Sequence, residues 1–132
     1  MKDVVRTEAA PAPFQGAPYS QAIRAGGFVF VSGQLGLKLG DEEISGSIAE
    51  QTEQIFLNLR AILETAGSGL DRVVKTTVYL VDLGEFTAMN GVYARYFTAP
   101  YPARATVGVA ALPAGGRVEI EAVAVREPPR QG

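Results

Sequence analysis

The feature that most constrains the fold is a long amphipathic helix that begins at a serine. Ser47 precedes Glu50 by three residues, the spacing of a capping box in which each side chain binds the other residue's backbone N–H. Gly67 is placed to end the helix in the left-handed conformation. A helix over about 47–66 is about 30 Å long, enough to cross a whole sheet. Its apolar stripe needs such a sheet, and consists of Ile48, Ile55, Leu59, Ile62 and Leu63.

Five segments predict β-strands. Each is rich in β-branched residues or has apolar residues at alternating positions. The segments are 21–24, 28–31, 73–81, 104–109 and 118–125. The pair Gly26-Gly27 predicts a tight turn between the first two strands, and 36–46 predicts an exposed loop.

A second helix is predicted after Asp82. Glu85 follows Asp82 by three residues and repeats the capping pattern, and Pro100 prevents continuation of a helix that ends near Phe97. Its inward face is predicted to be Phe86, Met89, Tyr93 and Phe97. The predicted fold class is therefore α+β, a mixed β-sheet with two helices packed on one face.

The predicted sheet has apolar residues on both faces. The strand 118–125 places Val123 and Val125 opposite the face that packs under the helices, and 28–31 is apolar without interruption. Two helices on one side cannot cover both faces, so we expect self-association to bury the second one.

The composition excludes several classes of chemistry. The chain has no His, no Cys and no Trp, which excludes disulfides, thiol nucleophiles, Cys/His zinc sites and histidine relays. Any general acid–base catalysis must then use carboxylates, Lys, Tyr or bound water. The net charge of −2 argues against binding to nucleic acid. We expect no metal and no cofactor.

Length and patterning indicate one cytoplasmic domain. The 132 residues fit a single domain over 1–132, with a core of about 18–125 and short terminal extensions. Acidic residues stand where a signal peptide would be apolar, and no apolar run approaches the roughly 20 residues that cross a bilayer.

Arg104 is the most informative charged residue. It opens a strand without another charge, and a guanidinium in such surroundings usually holds an anion. Its partner is either a ligand carboxylate or, in a structural ion pair, Glu119 or Glu121. These two glutamates point the same way from one strand, which by itself predicts only a solvated sheet face.

Other candidates have structural interpretations of equal or greater weight. The segment 67–69 is interpreted as a helix stop and 33–36 as a turn that could present backbone N–H groups to an anion. Tyr19 fits a core aromatic residue with a hydrated hydroxyl. Asn90, a poor helix former beside Gly91, indicates either a ligand contact or a packing role.

Taken together, these segments resemble the Rid (YjgF-type) family of reactive-intermediate enamine/imine deaminases from about 18 to 125. The matching positions are 18–22, 31–34, 74–78, Asn90 with Tyr93 and Phe97, 102–104 and 118–122. The resemblance implies a chorismate-mutase-like fold assembled as a homotrimer, with three clefts between subunits. One departure is Ala17, where the family usually has glycine, and this bears on substrate range.

The resemblance also implies roles for individual residues. Arg104 matches the arginine that binds the substrate carboxylate, and Glu119 matches the acid associated with the attacking water. The positions that line the cleft are Tyr19, Ser32, Gly33, Asn90 and Thr106.

The implied activity is hydrolysis of 2-imino acids and enamines to 2-oxo acids and ammonia, with 2-aminoacrylate/2-iminopropanoate and 2-iminobutanoate as examples. Such substrates react with water once the imine and a water molecule are held in the right orientation, and the reaction requires no cofactor. Two alternatives stay open: a non-catalytic trimer that binds small carboxylates or stabilises proteins, and a ribonuclease. The acidic pI of about 5.1 and the absence of histidine weigh against the ribonuclease.

Overall fold

Six strands and two α-helices form the main regular structure of residues 2–126, the part of the chain that the computed structural model describes. In chain order they are β1 (Asp3–Val5), β2 (Ala22–Ala25), β3 (Phe28–Leu35), α1 (Ile48–Thr65), β4 (Val73–Leu80), α2 (Phe86–Tyr96), β5 (Ala103–Gly108) and β6 (Val118–Val125). Short 3-10 turns precede β4 and α2. The predicted α+β class, with both helices on one face of a mixed sheet, is confirmed.

The sheet places the C-terminal strand at its centre. Its order is β1-β2-β3-β6-β4-β5, and every neighbouring pair is antiparallel except β4 and β5, which are parallel and joined through α2. Strand β1 was not predicted, because three residues are too few to show a period. Val5, paired with Ala22, is only 2% exposed, so this N-terminal segment is part of the core.

The long helix forms as its capping residues predict. The Ser47 hydroxyl accepts a hydrogen bond from Glu50 N, the Glu50 carboxylate accepts one from Ser47 N, and Gly67 has a φ of 82°. The whole predicted stripe is buried against the sheet. The interpretation of 67–69 as a helix stop is also correct, since Ser68 N donates to the Leu63 carbonyl at the helix end.

The prediction of a second capping box, at Asp82 and Glu85, is wrong. Asp82 accepts from Gly84 N and caps a 3-10 turn, while the Glu85 carboxylate accepts a hydrogen bond from Arg117 instead of reaching back. Met89 and Phe97 are buried as predicted. Phe86 is the first residue of α2, and it is 40% exposed.

The sheet face away from the helices is open in the single chain. The alternation of β6 is as predicted: Val118, Ile120, Ala122 and Ala124 are buried under the helices. On the opposite face Phe28 and Phe30 are 45% and 46% exposed and Val125 is 38% exposed. No helix among residues 2–126 is long and apolar enough to span a membrane.

Candidate functional site

Arg104 lies on the helix-facing side of β5, the edge strand of the sheet. Its Nη1 donates a hydrogen bond of 2.8 Å to Asn90 Oδ1 on α2. Its Cζ lies 4.7 Å from the ring centroid of Tyr93 and 5.4 Å from that of Phe86, both also on α2. Thr106, two residues along the strand, shares this face. Helix α2 continues through Asn90, and the hydrogen bond with Arg104 accounts for a poor helix former at this position.

The Arg104 guanidinium has no carboxylate partner within residues 2–126. A structural ion pair with Glu119 or Glu121 is therefore wrong for the single chain. An amide and two aromatic rings contact the guanidinium, and only its Nη1 donates a hydrogen bond within residues 2–126, so that its other N–H groups are free for a planar anion.

Glu119 lies on the opposite face of the sheet, directly against Gly33. Strand β3 contains a bulge between Val31 and Gln34, and the backbone of Gly33 approaches the Glu119 side chain there. A Cβ atom at Gly33 would lie 2.8 Å from Glu119 Cδ and would overlap its carboxylate oxygen. The predicted turn at 33–36 is thus wrong, since β3 continues to Leu35 and the glycine makes room for an acid.

The environment of Glu119 disfavours its charged form. Burial raises the pKa of its carboxyl above the ordinary value, and the negative charge of Glu121 raises it further. Glu121 accepts a hydrogen bond of 2.8 Å from the Tyr79 hydroxyl, whereas no side chain of residues 2–126 donates one to Glu119. Glu119 is thus a half-buried base with free lone pairs on the open sheet face, where the two glutamates are predicted, and it is less solvated than that prediction implies.

Gly33, the residue against Glu119, also lies near Tyr19 and directly follows Ser32 in β3. The Ser32 hydroxyl donates to the Ser20 carbonyl at 2.5 Å, and a small cavity is lined by both Tyr19 and Gly33. Tyr19 is 44% exposed and its hydroxyl accepts from Phe14 N, so the core-aromatic interpretation is wrong. Ala17 has extended backbone angles, which any residue can adopt.

The sequence-predicted residues therefore form two groups instead of one site. The first group, on the helix side of β5, is Arg104, Asn90 and Thr106. The second, near β3 and β6, is Tyr19, Ser32, Gly33 and Glu119. Arg104 pairs with Thr76, which lies under α2, while Glu119 pairs with Tyr79 on the other face, two strands away. A single chain does not bring the two groups together.

Three contributors were missed as site residues. Tyr93 and Phe86 are predicted to face inward and are given no role in the site, yet both rings lie under the Arg104 guanidinium. Tyr79, which binds Glu121, could have been found from the period of β4, because it faces the same side as the glutamates. In residues 2–126, no group of three or more His, Cys, Asp or Glu is placed to hold a metal ion.

Comparison with known proteins decides the family. The family model described as endoribonuclease L-PSP matches residues 7–126. The chain belongs to this family, the Rid or YjgF-type family. A 2-iminobutanoate/2-iminopropanoate deaminase from Bos taurus is 43% identical to this Rid chain over 129 residues, which cover 97% of the chain and 93% of the bovine protein.

Other Rid relatives agree in sequence and fold. Reactive Intermediate Deaminase A, chloroplastic, from Arabidopsis thaliana is 50% identical over 93% of this chain and 65% of the plant protein. The crystal structure of RidA from the Antarctic bacterium Psychrobacter sp. PAMC 21119 superimposes with a TM-score of 0.88 at 45% identity, covering 93% of this chain and 98% of that one. Escherichia coli TdcF with bound serine gives 0.88 at 36% identity, covering 95% and 99%. A cytoplasmic location stays a prediction for this Rid protein.

Proposed function

We propose that this protein is a hydrolytic deaminase that converts 2-imino acids to 2-oxo acids and ammonia. The substrates we expect are 2-iminopropanoate and 2-iminobutanoate, with enamines such as 2-aminoacrylate entering through the imine tautomer. The observation that carries the proposal is the Arg104 guanidinium, which Asn90 and two ring faces hold without a carboxylate partner in the described chain.

Arg104 would bind the substrate carboxylate. A guanidinium presents parallel N–H donors that fit a carboxylate, and such charge-assisted pairs are stronger than neutral hydrogen bonds. The serine bound to Escherichia coli TdcF is itself a small amino acid with a carboxylate, which supports a ligand of this class for the family.

Glu119 would activate the water. Its unpaired carboxylate takes one proton from the water as the water oxygen bonds to the carbon of the protonated imine, and the C=N π electrons move to nitrogen, which gives a neutral carbinolamine. Glu119 then returns this proton to the amine nitrogen, and the C–N bond breaks as the hydroxyl oxygen forms C=O and releases its own proton to the Glu119 carboxylate. Ammonia takes up that proton and leaves as ammonium, so that the 2-oxo acid and the ionised carboxylate remain. A raised pKa suits this exchange, because a carboxylate that binds its proton more tightly is a stronger base than an ordinary glutamate.

The site is completed by a second subunit in this proposal. Arg104, Asn90 and Thr106 of one chain would face Tyr19, Ser32, Gly33 and Glu119 of a neighbour, in a homotrimer with three clefts. The open apolar face with Phe28 and Phe30 supports such an assembly, because water-exposed aromatic area of this kind is usually buried in an interface.

An imine hydrolysis assay tests the activity. An amino-acid oxidase generates imines from alanine and 2-aminobutanoate, and their decay to 2-oxo acid and ammonia is followed after the oxidase is inhibited. We expect the protein to accelerate decay severalfold or more over buffer, and heat-denatured protein to have no effect. Ligand binding without acceleration would favour the non-catalytic alternative, and metal-free cleavage of RNA by the purified protein would favour the ribonuclease.

The assembly predicts a particle of three times 13.9 kDa. Because both site groups and the open sheet face need a partner, we expect multi-angle light scattering at micromolar concentration to give this mass. A monomer that hydrolyses imines at full rate would contradict the shared site.

Substitution of Gly33 by alanine should lower activity with little loss of stability. The added Cβ would overlap the Glu119 carboxylate and move it from its position, while the backbone at Gly33 needs no left-handed angle. We expect kcat/KM to fall about 10- to 100-fold, less than the loss of a general base entirely.

Gly27→Ala is the matched control for this change, because a Cβ there meets nothing within 4 Å. It should leave kcat/KM unchanged. Full activity in Gly33→Ala would show that the close approach of Gly33 to Glu119 is unimportant.

A further inference from the structure

Tyr93 makes a buried polar contact that packing alone does not require. The residue is 6% exposed, and its hydroxyl lies 2.7 Å from the Oγ1 of Thr76, which is fully buried. Aromatic rings surround it, because Phe56 and Phe97 pack on the Tyr93 ring with centroids 5.7 and 4.8 Å away. A phenylalanine–valine pair would fill nearly the same space without burying two hydroxyls.

The contact between Tyr93 and Thr76 lies next to Arg104. Thr76 is the residue of β4 that pairs with Arg104 of β5, and the Tyr93 ring lies under the guanidinium with Cζ 4.7 Å from its centroid. Asn90, which accepts from Arg104 Nη1, is one helical turn before Tyr93 on α2. The hydroxyl pair thus joins α2 to β4 at the point where both elements contact the arginine.

We infer that Tyr93 and Thr76 are positioning residues that set the orientation of the Arg104 guanidinium for a carboxylate. The ring supports one side of the guanidinium, the hydroxyl bond fixes the ring relative to β4, and Asn90 occupies Nη1. With these contacts in place, the other N–H groups of the Arg104 guanidinium keep one orientation for the carboxylate. The inference deepens the proposed function and rests on its carboxylate ligand.

Binding of a 2-oxo acid and of its primary amide separates positioning from mere stability. The probes are 2-oxobutanoate and 2-oxobutanamide, which differ only in the carboxylate, and affinities are measured directly by calorimetry on the intact protein. We expect Tyr93→Phe and Thr76→Val each to weaken the oxo acid about fivefold, an ordinary loss for one neutral hydrogen bond, and to leave the amide within about twofold. The double variant should match either single one, because both remove the same bond.

Two further variants serve as controls. Tyr96→Phe removes another α2 hydroxyl, one that donates to Glu53 away from Arg104, and should leave both affinities unchanged. Thr76→Ser keeps the hydroxyl and should retain the affinity for the oxo acid. Melting temperatures are measured for every variant, and Tyr93→Phe, which keeps the ring, provides the test if Thr76→Val does not fold.

The outcomes separate this inference from the proposed function. A lower melting temperature with an unchanged ratio of oxo-acid to amide affinity overturns the inference, as does a wild type that binds both probes equally. If the wild type binds the oxo acid and the variants weaken it as expected but no imine is hydrolysed, the positioning role stands and the deaminase proposal fails.

Discussion

Replacement of Arg104 by lysine should lower kcat/KM for imine hydrolysis about 30- to 1,000-fold while the chain stays folded. Lysine keeps the positive charge but lacks the planar pair of donors, so the substrate carboxylate would no longer be held in one orientation. Lysine would also stand in a position shaped for a guanidinium by Asn90 and the Tyr93 ring. Most of the loss should appear in KM for the imino acid.

Arg95→Lys is the matched control. Arg95 is an arginine of α2 itself, but it is exposed and pairs with Glu53 at 3.4 Å, so the same substitution should leave activity unchanged. Thermal melting and hydrolysis are measured on both variants. A folded Arg104→Lys protein with undiminished hydrolysis would remove this arginine from the mechanism.

Glu119→Gln should remove most of the activity, about 10²- to 10⁴-fold in kcat, the usual contribution of a general base. Glutamine has nearly the same shape and cannot accept the proton from water. The variant should melt no earlier than the wild type, because the folded protein raises the pKa of Glu119 and therefore already disfavours its charge. Retained kcat would show that water attacks without help from this carboxylate.

The pH profile belongs to the same test. Activity should be present above the pKa of Glu119 and lost as the pH falls through it, and the raised pKa places that loss at higher pH than for an ordinary glutamate. Glu121→Gln removes the neighbouring negative charge, so its acid limb should move to lower pH. An acid limb that stays in place in this variant would assign the titration to another group.

The sequence was most informative where local chemistry decides the structure. The Ser47 capping box and the stripe from Ile48 to Leu63 specify α1 by themselves, and the alternation of β6 identifies its buried face. The family resemblance then selected the candidate residues. Each of these signals depends on residues close together in the chain.

Features that depend on distant segments were not predicted. Nothing in the residues around Arg104 tells which sheet face its side chain occupies, so an ion pair with Glu119 stayed open until the register of β4 with β5 and β6 placed the two on opposite faces. The bulge at Gly33 was interpreted as a turn, because only its partner strand shows that β3 continues. Phe86 was assigned to the core, although its exposed ring lies against the arginine.

The separation of Arg104 from Glu119 has a genetic consequence under the proposed assembly. In that assembly every cleft takes its arginine from one chain and its glutamate from the next. The gene then encodes a single chain, whereas the reaction needs two. A trimer mixed from Arg104→Lys and Glu119→Gln chains then contains clefts in which both original residues meet, although neither chain alone can make one. Two defective alleles could complement each other, and a single defective chain would damage only the clefts it borders.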